Sequence, residues 1–168
     1  ERLKEALHMV RVDAASHEHM TLELVSRWQD AVLGLQNVKV RRTDAYAKEG
    51  RERYPWSESL SVDFEEALRG ATADAGSLPE IRAARAYLDV CFFHPFDDGN
   101  GRLARLVLDF VLTKAGLGLQ DVGGLFTTTK RADDEVGSQA FAEALLQYTA
   151  PLGPDRDVCL KEWSAELR

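Results

Sequence analysis

Apolar side chains recur at helical spacing along most of the chain, and the breaks in that rhythm are as informative as the rhythm itself. Leu22, Leu24, Val25, Trp28, Val32 and Leu33 form one stripe, which predicts a helix over 20–34, and residues 2–14 predict another before it. Between 38 and 54 the pattern changes. Val38 and Val40 alternate with Lys39 and Arg41, and Gly50 separates two short extended-looking segments, so a β-hairpin or extended flap is expected there. Helical spacing returns over 62–74. Ser77-Leu78-Pro79-Glu80 then gives a helix start, with Ser77 as the cap, Pro79 in the first turn and Glu80 reaching back. Ile81, Ala84, Leu88, Cys91 and Phe92 follow as the expected buried face of a helix ending near Phe93. Leu103, Leu106, Val107, Phe110 and Val111 mark the core side of the next helix, which starts after Asn100 and ends near Gly116. Residues 134–149 and 157–167 predict two more helices, with Pro151, Gly153 and Pro154 breaking the chain between them. The fold class is therefore mainly α, with a helix–loop–helix at its centre.

Length and charge narrow the picture. At 168 residues the chain is expected to form a single domain, with a core over about 20–150 and flanking helices in 1–19 and 151–168. A formal net charge of −7 argues against a general nucleic-acid surface, which needs a basic field. No apolar run approaches the length of a membrane span, so neither nucleic acid nor membrane is an expected partner. Two cysteines, Cys91 and Cys159, make no disulfide framework, and a reducing, cytoplasmic compartment is the expectation. Cys91 reads as a core thiol rather than a nucleophile. The chain starts at Glu1, so a missing signal peptide says little about location.

The chemistry concentrates in one stretch, HPFDDGNGRLAR, from His94 to Arg105. Asn100 stands where the second helix should have its N-cap. The free N–H groups of that first turn, with the helix dipole, make a ready anion site. Gly99 and Gly101 let a ligand approach the backbone closely. Arg102 and Arg105, at i and i+3, share a helical face. Two cations at a helix N-terminus oppose the dipole unless an anion lies between, and guanidinium groups suit phosphate oxygens. Asp98 beside the phosphates is a hard oxygen ligand of the kind Mg²⁺ takes together with phosphate. His94 closes the preceding helix, where an imidazole can remove a proton from an attacking hydroxyl. Together these parts point to phosphoryl or nucleotidyl transfer from a Mg-nucleotide to a hydroxyl.

The stretch resembles the signature of Fic-domain proteins, H-P-F-x-[D/E]-G-N-G-R-x-x-R, at every fixed position. The resemblance implies a Fic-like helical bundle with a central helix–loop–helix motif and a small β-hairpin flap. It also implies transfer of AMP from ATP to a Ser, Thr or Tyr hydroxyl of a target protein. By position, it makes His94 the general base, Phe96 a buried anchor of the loop and Asp98 the Mg²⁺ ligand. Gly99, Asn100 and Gly101 become the phosphate-binding turn, Arg102 a phosphate ligand and Arg105 the ligand of the terminal phosphate. The intact GNGR portion favours nucleotidyl transfer over a kinase-like variant. An upstream flap that aligns the target by strand-like pairing corresponds to the stretch from Arg42 to Tyr54, with Tyr46 as its clamp residue. Another nucleotide or diphosphate donor is the alternative chemistry, and a toxin held inactive by a separate antitoxin is the alternative setting.

Competing readings of the same residues are weaker. Gly99-Asn100-Gly101-Arg102-Leu103-Ala104 fits a dinucleotide fingerprint but follows a helix rather than a strand. A calcium loop starting at Asp98 fails because it needs glycine where Leu103 stands. Arg105 is placed to pair with Asp109 four residues on, in the weaker order for a helix. His17-Glu18-His19 reads as a solvated connection rather than a metal site, and Thr127 to Arg131 as a polar loop with a candidate role beside a base. Many Fic-like proteins carry an inhibitory [S/T]-x-x-x-E-[G/N] helix whose glutamate pairs with the second motif arginine. Here only Ser61 and Glu65 have that spacing, and Glu66 follows, so the chain is expected to lack its own inhibitory glutamate.

Overall fold

The structure, a computed structural model, describes residues 2–16, 19–73, 76–120, 124–126 and 134–153, and six helices lie among these described residues. They are α1 (Arg2–Ser16), α2 (Leu22–Leu33), α3 (Leu60–Ala73), α4 (Pro79–Phe93), α5 (Asn100–Lys114) and α6 (Glu135–Tyr148). Local chemistry sets several of their ends. Thr21 caps α2, its hydroxyl accepting from the Leu24 N–H at 3.2 Å, and Gly34 closes the helix at φ 67°. Asp134 caps α6 by accepting from the Gly137 N–H at 2.8 Å. The start of α4 differs from expectation. Its N-cap is Leu78, with Pro79 at the first helical position, and Glu80 does not reach back; it accepts from the Thr149 hydroxyl at 3.2 Å.

Helices α4 and α5 pack most extensively on each other. α1 and α2 lie on α5, while α3 and α6 lie on α4. α5 is the hub, buried nearly all round from Leu103 to Leu112, as expected of a helix apolar on every side. Trp28 of α2 meets Phe110 of α5 with ring centroids 5.3 Å apart. The buried face of α4 is Ala83, Ala84, Ala86, Tyr87 and Val90, whereas Ile81 and Phe92 are exposed. Of the expected stripe Ala84 is buried and Leu88 and Cys91 pack against the core, so only its Ile81 and Phe92 edges miss, because α4 is covered by three helices and small alanines face the close contacts. Two buried carboxylates tie the outer helices in. Asp13 accepts from the Trp28 indole and from Arg27, each at 2.7 Å, and Asp109 pairs with Arg11 at 3.2 Å. Asp109 is therefore not the partner of Arg105.

Within the predicted 38–54 flap, only β1 (Ala45–Ala47) and β2 (Glu52–Tyr54) pair, antiparallel, with Tyr46 opposite Arg53 and Ala45 opposite Tyr54. A second two-stranded ladder was not anticipated. β3 (Leu117–Leu119) pairs antiparallel with β4 (Thr149–Pro151), joining the chain after α5 to the chain after α6. Pro151 was read as a breaker, but an edge position tolerates proline. The flanking Leu152 N–H donates to the Gly116 carbonyl at 2.8 Å. The predicted helix over 157–167, Cys159, His17, Glu18 and the stretch Thr127–Arg131 all lie outside the described residues. Among the described residues no helix is long and apolar enough to cross a membrane.

Candidate active site

The loop from His94 to Gly99 joins the two central helices, and Asn100 is its staple rather than the cap. The helix N-cap is Gly99, and Asn100 is the first helical residue. The buried Asn100 side chain turns back, accepting from the Phe96 N–H at 3.0 Å and donating to the Phe96 carbonyl at 2.7 Å. Both amide ends are consumed inside the loop. Asn100 therefore offers a ligand its backbone N–H, not its side chain. Phe96 itself is fully buried, the anchor that the motif implies. Gly99 is needed twice over. Its φ is 79°, and a Cβ there would lie 2.6 Å from the Gln29 amide nitrogen. That nitrogen donates to the Asp98 carbonyl, so α2 fixes the loop from below.

A second clamp is Arg41, buried at the base of the flap. Its Nε donates to the His94 carbonyl at 2.7 Å, and Nη2 donates to the carbonyls of Phe93 at 3.2 Å and Pro55 at 3.1 Å. Nη1 donates to the Thr43 carbonyl at 2.6 Å, and the Arg41 N–H donates to the Pro95 carbonyl at 3.0 Å. One guanidinium thus joins the end of α4, the loop and the flap. This grip helps hold His94 at φ 46° and ψ 57°, a left-handed conformation rare outside glycine.

His94 sits where sequence placed it, as the C-cap of α4, its N–H donating to the Val90 carbonyl at 3.0 Å. Its ring stacks on Tyr54 of β2, with centroids 4.0 Å apart and planes 17° from parallel. Burial foremost, and then the Arg41 charge, push the imidazole pKa below 6.5; Glu52 and Asp98 pull the other way. The ring is thereby kept neutral and able to accept a proton near pH 7. Tyr46, the expected clamp, is exposed and shares the hairpin face of Arg53, opposite the face that carries Tyr54.

The chain matches the model of the Fic/DOC family over residues 19–112. It belongs to that family. Among solved structures it is similar to a Fic domain containing signaling protein from Bacteroides thetaiotaomicron, with 22% identity and a TM-score of 0.57. The match covers 68% of this chain and 47% of that one, so the chain spans about half the length of that relative, and the likeness is one of fold. Family membership supports a Fic-type transferase in general.

The Fic motif leaves the N-terminus of α5 open. Helix geometry gives the N–H groups of Asn100, Gly101 and Arg102 no intrahelical acceptor. Gly101 is exposed, and a Cβ there would meet nothing within 4 Å, so the approach to those groups is open. The two Fic arginines diverge. Arg102 reaches back to the Asp98 carboxylate at 3.5 Å and to the Val32 carbonyl at 3.4 Å. Arg105 lies over the Phe126 ring, 4.7 Å from its centroid, and its buried Nε has no hydrogen-bond partner among the described residues. That orphaned donor and the open helix end fit a polyphosphate.

A metal fits only in company with such a ligand. No cluster of three or more His, Cys, Asp or Glu side chains suited to a metal occurs among the described residues. Asp98 is largely exposed, with one oxygen accepting from the Gly99 N–H at 2.6 Å and the other facing Arg102. A single carboxylate at a phosphate site matches the way Mg²⁺ is held, by one or two carboxylates with phosphate oxygens and water. Sequence reasoning missed Gln29, Arg41 and Tyr54. Only the alternation at Val38 to Arg41 hinted that Arg41 belonged to an ordered segment.

Proposed function

We propose that the protein is an adenylyltransferase that moves AMP from Mg-ATP to a Ser, Thr or Tyr hydroxyl of a target protein. The observation that carries this reading is the open N-terminus of α5, the helix that also carries Arg105 with its unpartnered Nε, one loop away from His94 at the end of α4. The backbone N–H groups of Asn100 to Arg102 would cradle the phosphates, with Arg102 beside them and Arg105 on the terminal phosphate. Asp98 would hold Mg²⁺, which on binding supplies charge neutralisation at the phosphate oxygens. His94 takes the proton of the target hydroxyl while that oxygen forms a bond to the α-phosphorus. The bond from that phosphorus to the bridging oxygen breaks, and pyrophosphate leaves. Arg105 steadies the charge that develops on it.

The surroundings of Glu65 give no support to self-inhibition through Arg105. Glu65, the only glutamate with the inhibitory spacing, lies on α3 beside Arg69 at 3.9 Å and lines a groove with Asp30 and Arg42. It leaves Arg105 to a nucleotide or to a partner's carboxylate.

The test uses ATP labelled at the α or the γ position with candidate target proteins. Adenylyl transfer moves the α label and not the γ label into protein. His94→Ala should lower that transfer on the order of 10²- to 10⁴-fold with nucleotide affinity kept, the usual effect of losing a general base. Transfer of the γ label, or a His94→Ala variant as fast as the wild type, would refute the assignment.

A further inference from the structure

We infer that Tyr54 is a positioning residue for His94, its ring stack making the orientation of the base depend on a seated flap. The inference rests on the transferase reading, since it concerns the same imidazole. A general base needs something to orient it, and in many enzymes a carboxylate or carbonyl does so through the second ring nitrogen. Here neither imidazole nitrogen of His94 has a hydrogen-bond partner among the described residues. The backbone is fixed by Arg41 and Val90, but these contacts end at the main chain. Rotation of the ring about its side-chain bonds is limited by the Tyr54 face, 4.0 Å away and nearly parallel.

Tyr54 is itself held at its far end. Its hydroxyl donates to Glu52 at 3.1 Å, and the other Glu52 oxygen accepts from Lys48 at 2.7 Å. Burial foremost and then Glu52 push its own pKa up to about 12, so the phenol stays neutral. A chain of contacts therefore runs from the hairpin turn at Lys48, through Glu52 and Tyr54, to the base. Any target segment that pairs with or displaces the hairpin acts on His94 through that ring. The groups that face the imidazole are Arg41 from the segment before β1, Glu52 and Tyr54 from β2, and Asp98 from the loop.

The experiment combines histidine NMR with steady-state kinetics on the wild type, Tyr54→Phe and Tyr54→Leu, His94 being assigned by the signal lost in His94→Ala. A stacked ring displaces the imidazole proton signals upfield. That displacement should appear in the wild type and Tyr54→Phe and vanish in Tyr54→Leu, whose His94 should also titrate closer to 6.5. The kcat of Tyr54→Leu should fall roughly 3- to 10-fold, the scale of one lost ring pair, with nucleotide KM unchanged and Tyr54→Phe restoring the rate. An undisplaced His94 signal in the wild type overturns the inference. So does a Tyr54→Leu enzyme with wild-type kcat, or a Tyr54→Phe enzyme as slow as Tyr54→Leu. If the wild type moves no α label while the NMR pattern holds, the transferase reading fails and the Tyr54–His94 coupling stands.

Discussion

The two motif glycines should respond in opposite ways to the same substitution. Gly99→Ala places a Cβ on a residue at φ 79°, which costs about 1–2 kcal/mol for an L side chain. The new atom would lie 2.6 Å from the Gln29 amide nitrogen and 3.1 Å from Leu33 Cδ2. Gln29 must then move and release the Asp98 carbonyl, at a further cost of about 0.5–1.5 kcal/mol. The sum is about 1.5–3.5 kcal/mol, or a fall in Tm of about 3–14 °C for a domain of this size. Gly101→Ala meets nothing within 4 Å in helical backbone, so it should gain about 0.5–1 kcal/mol and raise Tm slightly. Its Cβ nonetheless stands over the open α5 N-terminus and should weaken Mg-ATP binding by roughly tenfold, about 1.4 kcal/mol. Calorimetric unfolding and Mg-ATP titration of both variants separate the two effects. A Gly101→Ala protein that is less stable but binds nucleotide normally would refute the assignment of that glycine to the ligand. A Gly99→Ala protein as stable as the wild type would refute the close packing of the loop on α2.

Asp98→Ala should weaken Mg²⁺-dependent nucleotide binding more than Asp97→Ala, whose carboxylate is exposed and outside the motif's fixed positions; equal losses by calorimetry would contradict the metal assignment. Arg11→Met should cost about 3–5 kcal/mol at neutral pH by leaving the Asp109 carboxylate buried without its cation. Burial already raises the Asp109 pKa above 3.8, so its neutral form favours the fold. The Arg11→Met deficit should therefore shrink as pH falls through the folded pKa, and a deficit constant with pH in thermal unfolding would exclude this cause. The His94 pKa is depressed on folding, so the unfolded chain binds the extra proton first. The acid limb of kcat/KM should accordingly lie below pH 6.5, and a limb above 6.5 would assign it to another group. Glu65→Gly should leave self-modification near the wild-type level, and a large activation would make Glu65 an inhibitor after all.

What the sequence made legible depends on where each residue finds its partner. Helix positions followed from periodicity because their partners lie within a turn. The motif was legible because its glycines, arginines, His94 and Asp98 fall within one short stretch of sequence. Asn100 was misassigned on the same logic. An asparagine at a helix start is a cap by local rules, yet its side chain satisfies the loop behind it. Arg105 and Asp109 have helical pairing distance, but Asp109 is claimed by Arg11, 98 residues earlier. Arg41 and Gln29 were silent for a stronger reason. Their acceptors around the motif are the main-chain carbonyls of Phe93, His94 and Asp98, 52 to 69 residues away. Every residue has a carbonyl, so no residue type at the far end marks the contact, and a polar side chain alone looks like surface. Tyr54 was hidden by register. Only Tyr46 was singled out in the flap, and a two-residue periodicity decides only that residues eight apart on a straight strand share a face. The hairpin turn between them breaks that relation and sets Tyr54, not Tyr46, against the base.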